Sequence, residues 1–147
     1  MNKKIDFLFE TPNESLGYLL WQATMRWQRE ANKVLREVGL TNTQFAILSA
    51  LAWLLRSSKS VTQKDIAEGS KTDRMMVSKI LRTLQKNGLV ERKEHETDTR
   101  AKCVFLTNKG VETLQKALEI KNKSNELFFE NITDKQNFAK ELQQIIE

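Results

Sequence analysis

The sequence changes its hydrophobic period at Gly88, and this change constrains the fold more than any other feature. Before Gly88, the stretch TQKDIAEGSKTDRMMVSKILRTLQKNG predicts a short helix, a tight turn at Gly69 and a longer helix. After Gly88, LVERKEH and CVFLT have the character of strands and flank the charged loop ETDTRAK. Two short helices followed at once by a β-hairpin predict a winged helix-turn-helix, with that loop as the tip of the wing.

Capping residues indicate where these helices begin. Residues 62–65, TQKD, have the spacing of a capping box and open the short helix. The longer helix takes its cap from Ser70 or Thr72, and the sequence leaves both open. Residues 41–44, TNTQ, form another capping box, and the FAILSALAWLL that follows is apolar nearly all round. That composition predicts a central buried helix.

Long amphipathic helices are predicted on both sides of the winged segment. Over residues 14–38, apolar side chains recur at intervals of three and four until Gly39 ends the run. A polar helix runs from Thr107 to about Glu130, and a last helix opens with the capping box at residues 133–136. The first helix carries a second apolar set beside its main stripe, which is Tyr18, Trp21 and Met25, and the last helix carries Phe138, Leu142, Ile145 and Ile146. This is more apolar surface than one small core needs.

Positive charge is concentrated in the predicted winged segment. The 147 residues carry a formal net charge of +5 and fit one domain. Residues 61–109 hold 11 Lys and Arg against 7 Asp and Glu, a net of +4, and the rest of the chain has a net of +1. A basic segment of this kind favours a polyanionic partner.

The scarcity of reactive side chains excludes most chemistry. One cysteine, Cys103, allows no internal disulfide, and one histidine, His95, cannot build a zinc site. No Gly-rich phosphate loop and no nucleophile with a histidine base occurs, so we expect no enzyme, metal or cofactor. The longest apolar stretch is too short to span a bilayer, and the protein is expected in the cytoplasm.

The longer helix of the winged segment has two faces. The residues Val77, Ile80, Leu81 and Leu84 are spaced to meet a core. On the other face, Arg74, Ser78 and Arg82 form a row at intervals of four. The row predicts contact with phosphates and bases in the major groove, with Arg74, Ser78 and Lys79 as the reading face. The residues predicted to bind DNA on the helix-turn-helix are Lys71, Thr72, Arg74, Met75, Ser78, Lys79 and Arg82.

The wing carries a second predicted DNA contact. Arg100 at the tip of a wing can enter the narrow, electronegative minor groove, and Asp98 is close enough in sequence to orient it. Arg92 and Lys102 can add phosphate contacts. A charged helix or loop is usually only a solvated surface, but the combination of helix-turn-helix and wing favours DNA binding.

At these residues the chain resembles the MarR family of bacterial transcriptional regulators. The resemblance runs over about residues 41–112, from TNTQFAILSAL through VTQKDIAEGSKTDRMMVSKILRTLQKNGLVER and the wing DTRAK to LTNKG. It implies a single MarR-like domain over residues 1–147, with a DNA-binding lobe at about 41–109 and dimerisation helices at about 10–38 and 110–147. It also implies an obligate homodimer on a pseudo-palindromic double-stranded operator, repression as the commoner outcome, and often release by a small ligand.

The chain departs from two branches of the family. Organic-peroxide sensors carry a reactive cysteine in the first helix, where this sequence has none, and the zinc-sensing branch needs several histidines.

By analogy with other members, an aromatic or phenolic effector is expected between the dimerisation helices and the lobe. Its predicted contacts are Trp21, Met25 and Trp53 for stacking, and Arg26 or Arg56 for a carboxylate.

Competing interpretations remain at this point. The tryptophans are more often core or dimer packing than a ligand site, in which case the protein is a ligand-independent DNA-binding regulator. A winged helix can also serve as a protein-interaction module. That alternative predicts no salt-sensitive affinity for DNA, and the basic row on the helix is evidence against it.

Overall fold

The computed structural model describes residues 3–94, 97 and 102–147. These residues form six α-helices and one antiparallel hairpin, which confirms the predicted mainly helical fold with a small wing. In chain order the elements are α1 (Leu16–Leu35), α2 (Asn42–Leu55), α3 (Gln63–Ser70), α4 (Arg74–Lys86), β1 (Val90–Glu94), β2 (Lys102–Leu106), α5 (Asn108–Phe128) and α6 (Lys135–Ile146). Short 3-10 turns, Pro12–Glu14 and Arg36–Val38, lie at the two ends of α1.

Helix α1 packs along α5 but buries little of itself. Only Ala31 and Leu35 are buried within it, and both lie in its last two turns. The helix tightens into the turn Arg36–Val38 and stops at Gly39, whose φ of 70° is the left-handed conformation that glycine adopts without steric cost. The predicted stop at Gly39 is confirmed, and the N-terminal half of α1 is left exposed.

The core lies mainly in the lobe that α2, α3, α4 and the hairpin build, and buried residues of α1 and α5 complete it. Each aliphatic side chain that is fully buried there stabilises the fold by about 1.5–3 kcal/mol relative to exposure. The large side chains with essentially no exposure are Leu35, Ile47, Leu48, Leu51, Val61, Ile66, Val77, Leu81, Leu84, Val90 and Val104. The predicted core face of α4 is confirmed for Val77, Leu81 and Leu84, which all belong to this set, while Ile80 is half-buried and packs against the core.

Helix α2 is central, as predicted, but one of its sides is exposed. It packs against α1, α3, α4, α5 and β2, and Ile47, Leu48 and Leu51 point into the core. On another side of the helix the indole of Trp53 is 68% exposed. The prediction of a central buried helix is therefore confirmed for the side that faces the core, whereas the side that carries Trp53 is exposed.

The hairpin is attached to the start of α3 as well as to itself. Strands β1 and β2 pair from Val90 opposite Leu106 to Glu94 opposite Lys102. The amide of Val104 also donates a 2.8 Å hydrogen bond to the carbonyl of Val61, just before α3. The base of the wing is thus fixed to the helix-turn-helix. Cys103 is buried there as a free thiol.

The segment LTNKG joins the lobe to α5 by a very close backbone approach. The hydroxyl of Thr107 donates to the carbonyl of Gly88 at 2.6 Å and accepts from the amide of Gly110 at 3.0 Å. A Cβ added to Gly110 would lie 2.0 Å from the carbonyl oxygen of Leu89. Only glycine fits this position without displacing the backbone, which gives the Thr-x-x-Gly pattern a physical reason.

The structure confirms some predicted caps and corrects others. Thr41 and Thr62 form complete capping boxes as predicted. Helix α4 is capped by Asp73, which accepts from the amide of Met76 at 3.1 Å, and not by Ser70 or Thr72. Helix α6 is capped by Asp134 instead of residue 133, one position later than predicted. In both corrections a carboxylate takes the cap, where the positive end of the helix dipole favours it.

The turn of the helix-turn-helix also differs in detail from its prediction. Gly69 lies inside α3, and the residue with left-handed backbone is Lys71, with a φ of 54°. A β-carbon makes that conformation costly for lysine, by roughly 1 kcal/mol.

Among the described residues, no single helix is long and apolar enough to cross a membrane. Only α1 with its following turn, taken together with α2, reaches that length and apolar composition, and this pair is bent by 74°.

Candidate nucleic-acid interface

Helix α4 presents exposed basic side chains outside its buried face. The side chains of Arg74, Lys79 and Arg82 are exposed, and Ser78 between them is half-buried. None of the three cations forms a salt bridge with any described residue. Fully solvated cations on one face of a rigid helix are available to phosphates and base edges without first breaking a contact.

The turn before α4 is held by its own hydrogen bonds. The amide of Thr72 donates to the carbonyl of Ala67 at 3.0 Å, and its hydroxyl donates to the carbonyl of Ser70 at 3.2 Å. Thr72 is half-buried. Because its hydroxyl hydrogen is donated within the turn, only the oxygen lone pairs remain to accept a hydrogen bond from a partner. Lys71, in contrast, is exposed at the apex of the turn.

Arg92 holds the wing against the helix-turn-helix. Its Nε donates to Oε1 of Gln85 on α4 at 2.7 Å, and its Nη1 donates to Oε1 of Gln63 on α3 at 3.2 Å. This half-buried guanidinium, predicted as a phosphate contact, therefore spans three elements of the lobe. Lys102 is exposed at the start of β2. Asp98 and Arg100, the predicted minor-groove pair, and His95 lie outside the described residues.

Lys109 makes a structural contact at the end of α4 that the sequence did not single out. Its Nζ donates to the carbonyl of Asn87 at 3.0 Å, just beyond the last residue of α4. A cation at this end of a helix stabilises the carbonyls that have no partner in the helix. Lys109 therefore helps to fix the orientation of the basic helix relative to α5.

Lys121 is a second residue that sequence reasoning missed, and it is buried without a hydrogen-bond partner. It is 4% exposed on α5, and its Nζ lies 4.2 Å from the ring centroid of Trp27 and 5.7 Å from that of Phe45. Neither Nζ nor the buried hydroxyl of Ser49 has a partner in the described chain. Desolvation lowers the pKa of Lys121. The signal was present in the sequence, because the lysine continues the buried stripe of Leu114 and Ala117 at helical spacing.

The residues predicted for a ligand are distributed over separate surfaces. Trp21 is exposed on α1, and Met25 is half-buried. Arg26 lines a groove of about 1140 Å³ between α1 and α5. On α2 the guanidinium of Arg56 lies 4.5 Å from the ring centroid of Trp53, so these two residues form a pair of their own.

The described geometry defines the class of protein. A basic helix, a held turn and a wing fixed to both are the parts of a DNA-binding winged helix-turn-helix. Among the described residues, no group of histidine, cysteine, aspartate and glutamate side chains could hold a metal ion.

Comparison with known proteins agrees with this class. The model of the MarR family matches residues 40–102. The HTH-type transcriptional regulator YdcH of Bacillus subtilis is 41% identical over 138 residues, which are 94% of each chain. A MarR mutant from Escherichia coli in complex with operator DNA has a TM-score of 0.81 at 20% identity, covering 95% of this chain and 100% of that one. CouR from Rhodococcus jostii bound to p-coumaroyl-CoA has a TM-score of 0.78 at 20% identity, covering 94% and 93%.

The chain belongs to the MarR family. It is a DNA-binding transcriptional regulator and not an enzyme, as the resemblance of its winged segment predicted.

Proposed function

We propose that the protein is a homodimeric repressor that binds a pseudo-palindromic operator through one α4 helix from each copy. The observation that carries this proposal is the exposed face of Arg74, Lys79 and Arg82, which has no partner in the described chain. Two such helices in a symmetric dimer would enter successive major grooves, with half-sites about 10 bp apart.

The apolar surface left outside the lobe supports the second copy. Helix α6 buries none of its residues, and within the described part of the chain its one ring contact is between Phe138 and Phe129, with centroids 6.2 Å apart. A solitary helix of 12 residues is marginal in water, so α6 needs packing that one chain does not supply. Large apolar side chains exposed on the N- and C-terminal helices are Leu16, Tyr18, Leu19, Leu20, Trp21, Val111, Leu118, Leu127, Phe138, Ile145 and Ile146.

Sedimentation and a salt titration test the two halves of the proposal. The protein should sediment as a dimer at micromolar concentration, and its affinity for duplex DNA should fall steeply with salt. The expected slope is roughly −0.9 per phosphate neutralised. A monomer would contradict the dimeric repressor, and a flat salt profile would favour the protein-interaction module.

A DNA-binding repressor acts where the DNA is, and the proposal includes a cytoplasmic location.

The wing contributes a further element of the proposal. Arg100 enters the minor groove with Asp98 orienting it, and Lys102 contacts the backbone at the rim. Arg100→Ala should then weaken binding more than Lys102→Ala, because a screened rim contact is worth less than a groove insertion. Equal, wild-type affinity of both variants would remove the wing tip from the interface.

A small aromatic acid as releasing ligand is a second proposed function, and Lys121 favours it. An unpaired, buried ammonium beside the rings of Trp27 and Phe45 would gain from a carboxylate partner. The similar fold of CouR with p-coumaroyl-CoA supports a ligand by analogy. The contacts predicted from sequence, Trp21, Met25, Trp53, Arg26 and Arg56, remain part of the proposal.

Release requires that the ligand favour a lobe spacing that misfits the operator, since equal affinity for both states shifts nothing. Tryptophan fluorescence and DNA binding should therefore change over the same range of ligand concentration. If aromatic acids and phenols leave both signals unchanged, the protein is a ligand-independent regulator.

A further inference from the structure

Two methionines are exposed on the same helix that carries the basic face. Met75 is 81% exposed and Met76 is 50% exposed, whereas Val77 beside them is completely buried. The core of the lobe therefore does not use either thioether. Both lie in the first turn of α4, directly after the cap Asp73.

Met75 lies on the part of the α4 surface that also carries the basic side chains. Residues three and four apart on a helix are neighbours, so Met75 adjoins Ser78 and Lys79 on the surface of α4. Met76 adjoins Lys79 in the same way. Arg74 precedes them at the start of the helix, and Lys71 lies in the turn before it. Met75 thus lies among exposed basic side chains that could contact phosphates, and Met76 lies next to it in the chain on an adjacent part of the helix surface.

The chemistry of the major groove offers one partner for these methionines. Base edges there present hydrogen-bond donors and acceptors, and the one apolar group among them is the C5-methyl of thymine. The methionine side chain is unbranched and polarisable, so it can adapt to a methyl group whose position is set by the phosphate contacts around it.

We propose that Met75, with Met76 beside it, reads thymine methyl groups in each operator half-site. The inference rests on the proposed binding of α4 in the major groove and adds the base that this part of the helix selects. It makes specificity at these positions depend on an apolar contact, so the preference for thymine should persist at high salt while the total affinity falls.

Replacement of thymine by deoxyuridine tests this directly, because it removes only the methyl group. The full-length protein would be titrated against an operator obtained by selection from random duplexes, with each thymine replaced singly. One or two positions per half-site should lose affinity by about threefold to fivefold, the expected value of one buried methyl. Most other thymine positions should bind as before.

Variants then assign the effect to the methionines. Met75→Ala should bind the thymine and deoxyuridine operators equally at the sensitive position, and Met75→Leu should keep most of the discrimination because it keeps an apolar side chain. Met76→Ala should act at the same or the adjacent position. Circular dichroism and the salt slope check that each variant is folded and still neutralises the same number of phosphates.

The outcomes separate this inference from the proposed function. If wild-type protein binds DNA with a steep salt dependence but tolerates deoxyuridine at every position, methyl readout is wrong and the proposed function stands. Discrimination that survives in both Met75→Ala and Met76→Ala also overturns it. If the protein selects no duplex at all, the proposed function fails, and the inference fails with it.

Discussion

The winged-helix lobe and helix α6 carry similar apolar stripes, but only the lobe covers its own. Val77, Leu81 and Leu84 of α4 are fully buried by neighbours in the same chain. Ile145 and Ile146 of α6 are 70% and 77% exposed. Apolar periodicity therefore says that a helix has a buried face, and not which chain covers it. The lobe should be stable by its own core, and α6 should depend on the proposed partner.

Among the substitutions that test this comparison, Gly110→Ala should have the largest effect, a loss of stability. The new Cβ would lie 2.0 Å from the carbonyl oxygen of Leu89, so the junction between the lobe and α5 must shift. We expect a loss of about 3 kcal/mol or more in the free energy of unfolding, measured by urea denaturation.

Gly69→Ala is the matched control for this change. Its Cβ would meet only Leu54, at 3.5 Å, and alanine favours a helix over glycine by up to about 1 kcal/mol. If both variants lose similar stability, the close approach at Gly110 is not what holds the lobe to α5.

Ile145→Asp should disrupt the contact proposed for α6 without unfolding the lobe. A carboxylate on the apolar stripe of α6 would oppose its burial against a second copy and should shift the protein to a monomer in sedimentation. Loss of the paired lobes should weaken operator binding by roughly a hundredfold. The core of the lobe should stay folded, because it does not include Ile145.

Gln144→Asp adds the same charge on the opposite side of α6 and should leave the dimer intact. A dimer that survives Ile145→Asp would show that the apolar stripe of α6 is not the contact between the copies.

Arg74→Ala should reduce binding without changing either region's fold. The side chain is exposed and makes no salt bridge with the described chain, so stability should change by less than about 0.5 kcal/mol. The affinity for the selected operator should fall by about 1–3 kcal/mol and the preference at one base position should relax. An equal loss on random DNA would make Arg74 a phosphate contact.

Arg92 tests whether the wing needs its attachment to the lobe. Arg92→Ala removes hydrogen bonds to Gln85 and Gln63 and should lower the stability of the lobe by about 1 kcal/mol, measured in urea. Arg92→Lys keeps the charge but loses the planar guanidinium whose Nε and Nη1 donate to the two amides. If the residue positions the wing, lysine should behave like alanine in DNA binding. Full affinity with lysine would restore the prediction of a simple phosphate contact.

The smallest effect is expected from Lys121→Met. Burial holds the pKa of this lysine below its ordinary value of 10.5, so its proton opposes folding at neutral pH. As the pH rises from the lowered pKa towards 10.5, the folded protein releases that proton before the unfolded chain does, and the penalty disappears. The variant should therefore be more stable than wild type at pH 7.

The advantage of Lys121→Met should shrink as the pH approaches 10.5, in urea denaturation at a series of pH values. Lys123→Met, at an exposed site on the same helix, should show no such trend. A constant difference between Lys121→Met and wild type across this range would mean that the cation–π contact with Trp27 compensates for burial.

Local sequence signals determined most of the lobe. The capping boxes at Thr41 and Thr62, the stops at Gly39 and Gly88, and the two faces of α4 follow from short-range spacing, and the structure agrees with them. These features depend on residues within one or two turns of each other. They can therefore be predicted from the sequence without knowledge of the tertiary structure.

The structure decided what depends on distant neighbours. Nothing in the spacing of Arg92 indicates two glutamines, 7 and 29 positions away, that engage its guanidinium. The exposure of Trp53 follows from how many elements surround α2, and the burial of Lys121 follows from how α1 and α2 cover α5. The sequence by itself determined the elements, the basic face and the family; the tertiary structure decided which side chains are free to bind. The reason is physical, because periodicity sets the faces of a helix while burial depends on what the rest of the chain brings against them.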